Sequence, residues 1–234
     1  AWTSRGLVCL DRGDAASAVQ AQERALAVSE RLAVLLASER AGMTLNLAQA
    51  RLVAADEAGA LTAFHSVLAS TSGSAESDPM AADSAVQTRH ALAMILLRRL
   101  ETSADADAET RIELVAEVGD HVEDGLALIR RWEGRSGWFR ESGVRLYELG
   151  AWLYRTRQPQ FLAEFLQENL DEKDPDRVRV ARDALTLARQ ELLRGSFAGL
   201  AGEGGEKTLA IIEGLREVES RLPVLTPPAA APKP

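Results

Sequence analysis

Residues 4–26 (SRGLVCLDRGDAASAVQAQERAL) lie over residues 46–68 (NLAQARLVAADEAGALTAFHSVL) at a constant offset of 42, with no gap. Gly6 falls on Ala48, Gly13 on Ala55, Asp14 on Asp56, Ala18 on Ala60 and Leu26 on Leu68. Small residues thus recur where two helices would have to approach closely, and an aspartate recurs at the break between them. That pattern predicts a helical hairpin made twice, with its turn at 13–14 and again at 55–56. It restricts the chain to architectures in which hairpins pack on one another.

The rest of the sequence agrees with a helical chain. Apolar residues recur at helical spacing almost end to end. Ala, Leu, Arg and Glu, all good helix formers, dominate the composition, and aromatics make up only 5%. Helices are expected at about 2–12, 15–38, 40–54, 57–70, 80–101, 108–131, 138–156, 158–170, 175–194 and 206–221. The stripe of the second includes Ala18, Val19, Ala25, Leu26, Leu32 and Leu36. Between these helices, 70–79 (STSGSAESDP), 134–137 and 199–205 (GLAGEGG) read as breaks. Five prolines in PVLTPPAAAPKP preclude a helix after 222, so 223–234 is expected to be an extended, disordered linker.

Residues 1–26 carry Trp2, Gly6, Gly13, Asp14, Ala18 and Ala25 at the spacings at which the tetratricopeptide repeat places its Trp, close-packing Gly, turn pair and small Ala residues. The first copy resembles that family. Cys9 stands where its Tyr is expected and Gln22 where its Phe is expected. In the second copy Phe64 supplies the aromatic and Thr44 replaces the Trp. An offset of 42 rather than 34 is similar to the long-helix variety of kinesin light chains and many bacterial regulators. The high arginine-to-lysine ratio also points to a bacterial source. The resemblance implies an all-α fold, an α-solenoid of antiparallel helical hairpins in a TPR-like superhelix. Residues 1–72 would be two such hairpins and 73–222 divergent hairpins continuing the array. It further implies a scaffold or adaptor that holds a peptide or partner domain in a groove lined by first helices. Thr3, Leu7, Leu10, Asp11, Leu45, Gln49, Leu52 and Val53 would line that groove.

Chemistry-bearing motifs are absent. His65, His90 and His121 lack metal-ligand spacing, so no metal or cofactor is expected. Cys9 reads as a small buried hydrophobe on the stripe of the first helix. GLAGEGGEKT at 199–208 departs from a phosphate loop, because Glu206 stands where Gly belongs and no strand precedes it. No enzyme activity is expected. A net charge of -8 disfavours nucleic-acid binding, and no apolar run reaches the roughly 18–20 residues of a membrane span. One cysteine precludes an internal disulfide and fits a reducing cytoplasm. Ala1 stands inside a helical pattern with no Met before it. A linked effector domain (protease, NTPase or transcription factor) held by a sensor array is therefore an alternative expectation.

One segment stands out in charge. Eight of the eleven aromatics fall within 132–165, and 130–157 holds seven arginines against three glutamates. Trp, Tyr and Arg are enriched at binding hot spots. Two readings follow. The aromatics form the core of a hairpin while the arginines pair with acidic faces; or the segment docks an acidic peptide or domain through Arg131, Arg135, Trp138, Arg140, Arg145, Tyr147, Trp152 and Arg155, with Leu45 and Gln49 on the groove. A third, an all-helical ligand binder, predicts a closed apolar cavity near Trp138, Tyr147 and Trp152.

Overall fold

A computed structural model of the chain describes residues 2–32, 36–102, 107–132, 139–196 and 203–223. Among these every regular element is helical: α1 (Trp2–Asp11), α2 (Ala15–Leu32), α3 (Ala37–Val53), α4 (Glu57–Thr71), α5 (Pro79–Thr102), α6 (Ala108–Trp132), α7 (Arg140–Arg157), a 3-10 turn (Pro159–Phe161), α8 (Leu162–Asn169), α9 (Pro175–Ser196) and α10 (Glu203–Arg221). The expected tail from 224 and the break at 134–137 lie outside the described residues. The chain divides into two compact units, Ala1–Gly143 and Val144–Pro234.

In the first unit the 42-residue offset reappears as backbone geometry. Gly13 and Ala55 both adopt left-handed backbone, with φ of 75° and 61°. The Gly13 N–H bonds to the Leu10 carbonyl and the Asp14 N–H to that of Cys9; the Ala55 N–H bonds to Leu52 and the Asp56 N–H to Arg51, each 42 residues on. This is the paired bonding that closes a helix through one left-handed residue. Each aspartate then starts the next helix, Asp14 accepting from the Ser17 N–H (3.1 Å) and Asp56 from the Gly59 N–H (2.9 Å). Asp107 does the same for α6 through the Thr110 N–H (2.7 Å).

The pairs α1–α2, α3–α4 and α5–α6 pack as hairpins, and α3 also packs on α1, α2 and α5. Close approach depends on the small residues. A Cβ on Gly6 would stand 2.5 Å from the Gln22 side-chain nitrogen, so any larger residue there would displace the buried Gln22 side chain. At the equivalent positions Ala48 and Phe64 are both 0% exposed. Trp2 is covered by Arg5 and Arg24, whose guanidinium carbons lie 5.3 and 5.2 Å from the ring centre, which ties α1 to α2. Around α3 the core joins Ala41, Leu45, Ala48, Ala60, Phe64, Val67, Leu92 and Ile95.

In the second unit α10 packs on α9 and α8. Arg189 of α9 makes a bidentate pair with Glu219 of α10 (2.6 and 2.9 Å).

Three expectations are corrected. The second helix does not run to 38: α2 ends at Leu32, and Leu36 stands 68% exposed ahead of α3, its N–H bonded to Glu39 (2.9 Å). Leu32 and Leu36 keep the same apolar spacing, so periodicity alone does not mark the boundary. Gly204 and Gly205, expected in a joint, lie within α10. Cys9 is half-buried rather than buried.

Ala55 is an L-residue held where glycine is favoured. Ala55→Gly should raise the unfolding free energy by about 1 kcal/mol, and Gly13→Ala should lower it by a similar amount. Denaturant midpoints at unchanged m-value would measure both.

Candidate interaction surface

Of the seven described aromatics of the 132–165 segment, Trp132, Phe139, Tyr147 and Phe165 are buried, Trp152 and Tyr154 are half-buried and Phe161 is exposed. In the first unit Trp132 donates its indole N–H to the Ala75 carbonyl (3.0 Å), and its ring centre lies 6.5 Å from that of Phe139. In the second, Tyr147 is 0% exposed and stacks on Phe165 at 5.6 Å, with Tyr154 on the other contact at 4.8 Å. Burial raises the Tyr147 hydroxyl pKa, and that hydroxyl has no hydrogen-bond partner among the described residues. Tyr147 is therefore removed from any outer surface. Trp152 is half-buried.

The arginines do not form one free cluster. Arg131 pairs with Glu76 at 3.0 Å. Arg145 is exposed and already engaged. Arg155 is half-buried, with its Nε buried and unbonded among the described residues. Arg135, Trp138 and the side chain of Arg140 lie outside the described residues. Sequence reasoning missed Arg177, which is 5% exposed, donates to the Asn169 carbonyl (3.1 Å) and faces Asp174 at 4.0 Å. Nothing in its local sequence separates it from surface arginines on the same helix. A groove of about 370 Å³ in the second unit is lined by Thr186, Arg189, Gln190, Leu209, Ile212, Glu213 and Arg216, away from Tyr147 and Trp152.

The two groove residues also part company. Leu45 is 4% exposed and belongs to the core around α3, because its face of the helix meets α4 and α5. Gln49, one turn on, lies half-buried at the edge of that face, in the row Gly42, Asn46, Gln49 and Val53, of which Val53 alone is exposed, at 61%. A matching row on α5 is Met80, Asp83, Gln87, His90 and Met94, and between Pro79 and Leu97 nearly every other side chain of α5 is buried. A Cβ on Gly42 would meet the Ser84 hydroxyl at 3.8 Å, so the start of the α3 row borders the α3–α5 contact. Ser38 of α3 also bonds to Asp78 at the start of α5 and lowers the carboxyl pKa.

Of the histidines, His65 is exposed, His90 half-buried and His121 buried. Both ring nitrogens of His121 lack a hydrogen-bond partner among the described residues. Burial lowers its pKa, and the charges of Arg89 and His65 lower it further, against Asp124 and Asp120. Arg89 itself pairs with Asp124 at 2.6 Å. No group of three or more His, Cys, Asp or Glu side chains converges among the described residues, and no described helix is long and apolar enough to cross a membrane. Comparison with family models, curated proteins and solved structures gave no match.

Because the folded state resists protonation of His121, its contribution is intact above the ordinary histidine pKa and is lost as pH falls below about 6.5. Unfolding free energy should fall between pH 7.5 and 5.5, with a slope from this site of at most about 1.4 kcal/mol per pH unit. His121→Leu should flatten that dependence in denaturant titrations.

Proposed function

We propose that this chain is a protein-interaction module, a tetratricopeptide-type array of helical hairpins that binds a polypeptide segment of a partner without catalysing a reaction. The observation that carries this reading is the pair of partly exposed rows on α3 and α5. Two neighbouring first helices pack directly on each other, yet each keeps a half-buried row with exposed members, Val53 on α3 and Met80 and Met94 on α5. The rows hold amides and methionines: Asn46, Gln49, Gln87, Met80 and Met94. Amide side chains can bond a partner's backbone, and methionine adapts to varied apolar shapes. Ser4, Leu7 and Asp11 of α1 extend the face, with Leu7 42% exposed.

The repeated turn supports the same reading. A hairpin closed identically at 13–14 and 55–56 presents its first helix in the same way each time, as superhelical arrays require. The Arg-rich stretch is the weaker location, since Tyr147 is buried and Arg131 and Arg145 are engaged.

A photo-crosslinking residue placed at Gln49 or Met94 should capture a polypeptide from extracts of the source cells. The same residue at exposed Thr62 or Ser66 of α4 should not. The double substitution Arg145→Glu, Arg155→Glu should leave capture from Gln49 unchanged. Equal labelling from α3, α4 and α5 would defeat the proposal.

A further inference from the structure

Seven carboxylates among the described residues are half-buried: Glu39, Glu57, Asp78, Asp83, Asp171, Asp174 and Glu219. Six of them meet a cation or a backbone N–H. Glu57 holds Arg98 and Arg99, and Glu219 holds Arg189. Glu39 accepts from Leu36 N–H, Asp78 from Met80, Asp171 from Lys173 and Asp174 from Asp176. Asp83 alone is held only by a neutral side-chain amide, that of Gln87 at 2.9 Å. It sits beyond the first turn of α5, where the favourable end of the helix dipole has largely decayed. Burial raises its pKa, the direction expected of a carboxylate that has lost water without gaining a countercharge.

The position of Asp83 gives this a direction. It lies in the partly exposed row of α5, between Met80 (42% exposed) and half-buried Gln87, with half-buried His90 and then Met94 (45% exposed) beyond. Arg98, the cation nearest the far end of that row, is committed to Glu57 at 2.6 Å. A partly desolvated carboxylate flanked by flexible thioethers suits a lysine or arginine, whose aliphatic stem lies along the methionines while its head reaches the carboxylate.

We propose that the segment docking on the α3–α5 face is basic and inserts a lysine or arginine side chain against Asp83. This rests on the reading of that face as the docking surface. It reverses the sign expected from the Arg-rich segment, where an acidic partner was anticipated. The carboxylate then completes its ion pair only in the complex, so its cost in the free chain becomes selectivity in the bound one.

Random 12-residue peptides displayed on phage, panned against the full chain, provide the probe. Enriched peptides should carry Lys or Arg among aliphatic residues. Their binding, read by fluorescence anisotropy, should weaken roughly 10-fold in Asp83→Asn and fall further with added salt. Asp83→Asn should unfold no earlier than the parent chain, because no internal ion pair is lost; a lower denaturant midpoint would mark Asp83 as structural and overturn the proposal. Enriched peptides that are neutral or acidic and indifferent to Asp83→Asn, yet weakened by Gln49→Arg, would overturn the basic partner and keep the docking face. Peptides indifferent to both substitutions would overturn both.

Discussion

The first unit depends on close approach between paired helices at positions where a side chain is nearly missing. At Gly6 the space that a Cβ would occupy is filled by Gln22, which donates to the Thr3 carbonyl at 3.3 Å. The second hairpin solves the same contact with Ala48 and Phe64. Gly with Gln and Ala with Phe are two fillings of one interhelical space. The Gln22 carbonyl oxygen is buried and unbonded among the described residues, a cost of about 1–3 kcal/mol that the aromatic copy avoids.

Charged ties then join one hairpin to the next. Arg51 of α3 bonds Glu23 of α2 at 3.0 Å and the Gly59 carbonyl of α4 at 3.3 Å, so one guanidinium links two hairpins. Glu57 and its two arginines join α4 to α5, and the arginines hold its carboxyl below the usual range. These ties sit at helix ends and on rims, where the net worth of each is small. They lie among α2, α4 and the ends of α3 and α5, and none of them uses a side chain of the α3 or α5 rows.

The turns were legible because they are local. A glycine or alanine followed by aspartate, ahead of a small-residue helix, suffices to specify a left-handed closure and a side-chain cap. The offset of 42 then revealed that the motif recurs. The Leu32–Leu36 boundary was illegible because both sides of the break share an apolar phase, and only packing of α3 separates them. Leu45 and Gln49, one helical turn apart, were expected on one surface; they lie on adjoining parts of one helix side, but Leu45 is buried in the core and Gln49 is half-buried at its edge. Which face meets a neighbour depends on where α5 lies, and no short-range pattern encodes that.

By itself, the sequence determined that the chain is helical, where most helices start and stop, and that two hairpins share one turn, since these follow from spacing, capping and backbone preference within a few residues. The tertiary structure decided which side chains are available. It moved Tyr147 and Leu45 into cores, paired Arg131 across to Glu76 and left Asp83 half-buried on a partly exposed row without a countercharge. Those outcomes depend on contacts between residues tens of positions apart, where burial and ion pairing are settled by packing rather than by local preference.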